Sequence, residues 1–179
     1  VAKGVNRFTW DFRKEGLPAV DGVFAFGDYR GGFVSPGDYA LRLILEEDTL
    51  MAPVKVLPNP NVDATAAQYA AKDAFVSNIT EMIRDIHESV NAMRSAKKQV
   101  AAYEQLLSGN DEAQALLDTA KALGQKIVDW ENNLIQPKQK TFQDVINYEN
   151  QLNAQFMRLK GFADNPDHPM VTAGAKERY

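Results

Sequence analysis

The clearest alternation of apolar and polar positions falls near the start of the chain. Phe8, Trp10 and Phe12 share one parity, and Arg7, Thr9, Asp11 and Arg13 the other, which predicts a half-buried strand. Val23-Phe24-Ala25-Phe26 is a shorter candidate. Tyr39, Leu41, Leu43 and Leu45 then alternate with Ala40, Arg42, Ile44 and Glu46, and Glu46-Glu47-Asp48-Thr49 supplies a polar turn. Leu50, Ala52, Val54 and Val56 form the returning strand, so residues 38–57 read as a hairpin, with Pro53 favouring an edge. Beyond residue 61 the period changes. Ile79, Ile86, Met93, Val100 and Leu107 recur every seven residues, with Val76, Ile83 and Val90 between them. This predicts one helix of some 40 residues, about 60 Å long. Asp63 or Thr65 can cap it, and Ser108-Gly109-Asn110-Asp111 ends it and starts the next. Leu116, Ala120, Leu123, Ile127, Trp130 and Leu134 mark a second, antiparallel helix stopped by Gln136-Pro137. A third is expected from about Phe142 to Lys160, with Val145, Tyr148 or Glu149, Leu152, Phe156 and Leu159 on one side and Gly161 just past its end.

The punctuation agrees. Residues 1–60 hold 7 of the 11 glycines and 5 of the 8 prolines, which marks short strands and turns. Strands followed by helices imply an α+β chain rather than alternating βαβ units. The expected divisions are a β module over 1–60, a helical bundle over 61–161 and an irregular surface tail over 162–179.

Composition adds mainly exclusions. The 179 residues include no cysteine, so there is no disulfide framework, thiolate metal site or cysteine nucleophile. A net charge of −4 argues against nucleic acid or an anionic membrane as a partner. No apolar run approaches the length of a membrane span. The chain opens on Val1, which suggests a processed protein or a piece of a longer one. No G-x-S-x-G, H-E-x-x-H, Walker or G-x-G-x-x-G string occurs. Two histidines stand far apart: His87 at the margin of the long apolar stripe, and His168 near Asp164 and Asp167 in a proline-interrupted stretch. That stretch reads as a polar turn rather than a metal site, where replacing Asp164 or His168 should alter stability by less than about 0.5 kcal/mol. No cofactor, metal or catalytic group is expected.

Three strings carry a resemblance. Gly4-Val5-Asn6-Arg7-Phe8-Thr9-Trp10-Asp11-Phe12-Arg13 is followed by Val34-Ser35-Pro36-Gly37-Asp38-Tyr39-Ala40-Leu41-Arg42-Leu43, and later by Gln143-Asp144-Val145-Ile146-Asn147-Tyr148. Together they resemble the C-terminal region of bacterial sortilin-like, BNR (Asp-box) repeat propeller proteins, often described as glycosyl-hydrolase-like. The resemblance implies a partial Ig-like or fibronectin-III-like β-sandwich followed by an antiparallel bundle of three helices, the first very long. It also implies an exported, periplasmic or extracellular protein, and as partner an upstream β-propeller or a second copy. Asn59-Pro60-Asn61 departs from the family's pattern, and no Asp-box is present, so no catalytic residue is carried over.

Trp10, Asp11, Pro36, Gly37 and Tyr39 are then structural: Trp10 and Phe12 on a core face, and Pro36-Gly37 a type II turn that launches the Tyr39 strand. Tyr29, Arg30 and Phe33, around Gly31-Gly32, are the candidate ligand patch, because paired glycines signal an open loop. The expected function is a non-catalytic structural or protein-interaction module. The alternatives are an accessory carbohydrate-binding module of a glycoside hydrolase, or a hydrolase fragment whose active site lies elsewhere.

Overall fold

The computed structural model describes residues 3–46 and 48–179. The architecture is α+β. An antiparallel hairpin, β1 (Gly37–Ile44) and β2 (Thr49–Val56), precedes a long helix α1 (Ala66–Leu107), a 3-10 turn (Asp111–Ala113), α2 (Gln114–Leu134), α3 (Asp144–Asn147), α4 (Leu152–Ala163) and α5 (Ala173–Arg178).

The hairpin follows its alternation. Tyr39 pairs with Val54, Leu41 with Ala52 and Leu43 with Leu50, so one face is wholly apolar. Asp38–Lys55 and Arg42–Met51 pairs lie on the other. The Leu45 amide donates to the Asp48 carbonyl at 2.7 Å to close the turn, and Glu47 lies outside the described residues. Gly37 is not in a left-handed conformation; it is the first strand residue, opposite Val56, so the expected type II turn is replaced by a direct extended entry.

The two earlier strands do not form. Phe12 adopts φ 59°, in the left-handed region, and breaks the extended run. Two local bonds favour the turn over a strand: the Arg13 amide donates to Asp11 Oδ1, and the Trp10 indole donates to the Arg13 carbonyl at 2.9 Å. Residues 12–17 and 29–34 instead run alongside each other. Lys14 N donates to Gly32 O, Val34 N to Phe12 O and Leu17 N to Tyr29 O, and the one ladder element is an Arg13–Phe33 bridge. Residues 23–26 are not a strand either; the Phe24 amide is taken by the Gln139 carbonyl.

Helix α1 is 42 residues long and starts at a full capping box, Thr65 with Gln68. Gly109, at φ 83°, lets the chain turn after it, and the Asn110 side chain caps the 3-10 turn. The proximal half of α1 is the spine of the protein. Ile79 and Ile83 pack with Leu17, Phe156, Met157 and Leu159, and Val90 packs with Val20 and Ile135. The distal half is barer, and Met93 and Leu106 are exposed. On α2 the expected face holds at Ile127, which is buried, and at Trp130 and Leu134, which pack against the Val90 cluster, but Leu117 and Glu131 are buried as well while Leu116 and Leu123 point to solvent. The Arg94–Glu131 ion pair draws Glu131 inward.

The expected third helix is interrupted at 148–151. Gln139, fully buried, donates to the Tyr148 carbonyl and to Asn150 Oδ1, which captures backbone that a continuous helix would use internally. Gly161 consequently lies inside α4 rather than after it. Nor is the C-terminal stretch a free tail. Asp164 is buried, Ala175 of α5 joins the core, and Tyr179 packs on Phe75.

Candidate functional site

Asp164, the C-cap of α4, is the hub of a buried charge cluster. Its Oδ2 accepts from Arg13 Nη1 at 2.9 Å and its Oδ1 from the Phe33 amide at 2.9 Å. The Arg13 guanidinium also donates to the Gly31 carbonyl at 2.8 Å, reaches Asp28 at 3.3 Å and lies 3.7 Å over the Phe33 ring. Lys160, 1% exposed, donates to the Asp28 and Arg30 carbonyls, and its ammonium is 4.0 Å from Asp164. Burial holds the Lys160 ammonium below its ordinary pKa, against the opposing pull of Asp164 and Asp28. Arg30 hydrogen bonds lower the Asp28 carboxyl to about 2. Arg13 Nε is buried without a hydrogen-bond partner, and the other donors here are spent on backbone or on a paired carboxylate, which is the chemistry of a structural clasp.

The clasp locates the candidate ligand patch. Tyr29 stacks on His87 with ring centroids 5.9 Å apart, Phe33 lies under Arg13, and Arg30 pairs with Asp28 and Asp11. The glycines between them are packed, not loose. A Cβ on Gly31 would meet the Lys14 and Glu15 carbonyls at 2.3 Å, and one on Gly32 would meet Val76 at 2.8 Å. Close backbone approach, not loop flexibility, is what calls for glycine here.

His87 is fully buried on α1. Its Nδ1 donates to the Pro18 carbonyl at 2.7 Å, and its Nε2 accepts from Asn153 at 3.3 Å. That arrangement fits the neutral ring, and burial lowers its pKa accordingly. His168 is exposed and does not join it. Asp167 accepts from Asn59 at 3.0 Å. Among the described residues no group of three His, Asp or Glu side chains is placed to hold a metal, and no helix is long and apolar enough to cross a membrane.

Two surfaces remain. One is the apolar hairpin face, where Trp10 packs edge-on against Tyr39 at 6.1 Å and tilts against Phe12 at 5.1 Å, so Trp10, Pro36, Gly37 and Tyr39 gather at the root of the hairpin. Asp11, by contrast, faces solvent. Leu41, Leu43 and Leu50 farther out are exposed. The other is a cleft of about 360 Å³ under that root, between residues 33–36, the end of β2, the start of α1 and the loop 164–167. Tyr69 and Lys72, which sequence reading did not single out, line it. Both are buried, and only their i, i+3 spacing next to Val76 hinted at it. No family model, curated protein or solved structure matches this chain.

Proposed function

We propose that the chain is a non-catalytic protein-interaction module whose docking element is the apolar face of the β1–β2 hairpin. One observation supports this above the others: Leu41, Leu43 and Leu50 share a face with Tyr39, Ala52 and Val54, and each of the three leucines is between 43% and 58% exposed. A two-stranded ribbon gains little stability alone, and each strand here has one unpaired edge among the described residues. A β-structured partner serves both needs, adding a strand at an edge and covering the leucines.

The propeller proteins that the Trp10-Asp11 and Pro36-Gly37-Asp38-Tyr39 strings resemble offer such a partner immediately upstream, in an exported protein. The hairpin is then one part of an Ig-like sandwich completed in the assembly, with the helices as a bundle bracing it. In isolation a second copy takes the partner's place. Sedimentation velocity from about 1 to 100 μM should show a concentration-dependent dimer. Leu41→Lys with Leu43→Lys should return it to monomer without lowering the melting temperature of the dilute chain. A monomer throughout that range, or a dimer indifferent to both lysines, overturns the proposal.

A further inference from the structure

The cleft beneath the hairpin has an apolar wall and two unsatisfied donors. Phe12, Phe33, Pro36, Val56 and Val76 form the wall. Tyr69 is 9% exposed, and its hydroxyl is buried with no hydrogen-bond partner. Such an orphan costs about 1–3 kcal/mol, so native structures rarely keep one without a reason. One turn along α1, Lys72 is 8% exposed, and its ammonium donates only to the Asn165 carbonyl, one acceptor for three protons.

The carboxylates around Lys72 are already engaged. Asp73 pairs with Lys14, Asp164 with Arg13 and the Phe33 amide, and Asp167 with Asn59. They act on Lys72 from a distance and oppose its desolvation, but none forms an ion pair with it among the described residues. Lys55 adds a second positive charge to the lining, which also carries Asp73, Asp164 and Asp167.

We propose that this cleft binds a small monocarboxylate with an apolar body. The carboxylate accepts from Lys72 Nζ and the Tyr69 hydroxyl, and the body lies against the aromatic and aliphatic wall. A pure hydrocarbon leaves both donors unpaired. The site does not depend on the docking role of the leucine face, which lies farther out on the hairpin.

Calorimetry and amide-shift titration with 3-phenylpropionate, up to about 10 mM, test it. Saturable binding is expected, with shifts at residues 33–36, 55–57 and 69–76. The alcohol 3-phenylpropan-1-ol should bind about tenfold more weakly, and Lys72→Met should cost the acid about tenfold or more, the scale of a hydrogen bond to a charged group. Tyr69→Phe removes only an unpartnered oxygen, so it keeps the fold and should weaken the acid about threefold to tenfold. If Lys72→Met fails to fold, the Tyr69→Phe and alcohol comparisons decide. Absence of saturation, equal binding of acid and alcohol, or a Tyr69→Phe affinity equal to that of the parent overturns the proposal.

Discussion

The hairpin and the segment before it are opposites. Residues 37–56 carry all the regular sheet of the described chain, yet most of their large side chains face solvent. Residues 13–34 carry almost no regular structure, yet they place Leu17, Val20 and Ala25 in the core and anchor Arg13 in the charge cluster. Regularity and burial are therefore separate outcomes. A strand needs only a register partner and a turn, which β1 and β2 give each other. Burial needs an opposing surface, and α1 gives it to the irregular segment. That segment satisfies its backbone and its ends against side chains of the helices: Arg84 on the Gly16 carbonyl, His87 on Pro18, Asn91 on Ala19 and Arg94 on Asp21. These donors stand at positions 84, 87, 91 and 94, a 3-4 spacing along one face of α1.

The largest effect that would break this contrast is loss of the clasp. Asp164→Ala takes the nearest carboxylate from the buried Lys160, leaves Arg13 with only Asp28 at 3.3 Å and orphans the Phe33 amide, so it should cost about 3–5 kcal/mol. His168→Ala, four residues on and exposed, should cost under about 0.5 kcal/mol. Denaturant melts of the two variants measure the difference. Equal, small costs would mean that the irregular segment is held by its apolar residues alone. The expectation that Asp164 belongs to an inert tail fails for a physical reason: a polar residue two positions before Pro166 carries no local sign that an arginine 151 positions away will bury it.

Elements ruled by local pattern were legible, and those ruled by distant partners were not. The hairpin and its register, the Thr65 cap, the span of α1 and its end at Gly109 all follow from neighbours within a few residues. The strand expected at Phe8–Phe12 had correct alternation but no second strand within reach, and the Asp11 and Trp10 side chains took the backbone instead. The burial of Glu131 on α2 is of the same kind, since no apolar count foresees that it turns inward to meet Arg94. Of the candidate residues, Pro36, Gly37 and Tyr39 meet because they are neighbours at the start of β1, whereas Trp10 reaches Tyr39 through space and, with Phe12, is exposed rather than on the expected core face. Tyr69 and Lys72 escaped notice because an apolar stripe makes no allowance for a buried lysine or an unpaired phenol.

A smaller and graded effect tests the seam between the segment and α1. His87 is buried neutral between Pro18, Tyr29 and Asn153. Its pKa is lowered from 6.5 by desolvation, so the unfolded chain binds the proton more tightly than the folded one. The stabilisation is therefore complete above about pH 6.5 and is lost as pH falls through the lower folded value. Melting temperatures measured from pH 7 down to pH 5 should decline, and an imidazole NMR titration should find the His87 midpoint below the ordinary histidine value. A ring that protonates at or above its ordinary value would show that the seam opens to water.

The smallest expected effect is the most discriminating. Leu43 lies on the apolar face but is 43% exposed, opposite Leu50, which is also exposed. Leu43→Thr keeps strand propensity and removes apolar surface that water already reaches, so the dilute chain should lose less than about 0.5 kcal/mol. Val90→Ala, at a fully buried position on α1, should lose about 1–3 kcal/mol although it removes only the two γ-methyl groups. Urea melts at low micromolar concentration measure both. Raising the concentration into the range where the hairpin is covered by a second copy should enlarge the Leu43→Thr cost and leave the Val90→Ala cost unchanged, because only the first side chain moves from solvent to an interface. A Leu43→Thr cost that is large already in the dilute chain would mean that the hairpin face is covered from within, by the Phe8–Phe12 stretch folding over it. The contrast between regular-but-bare and irregular-but-buried would then belong to one conformation rather than to the fold.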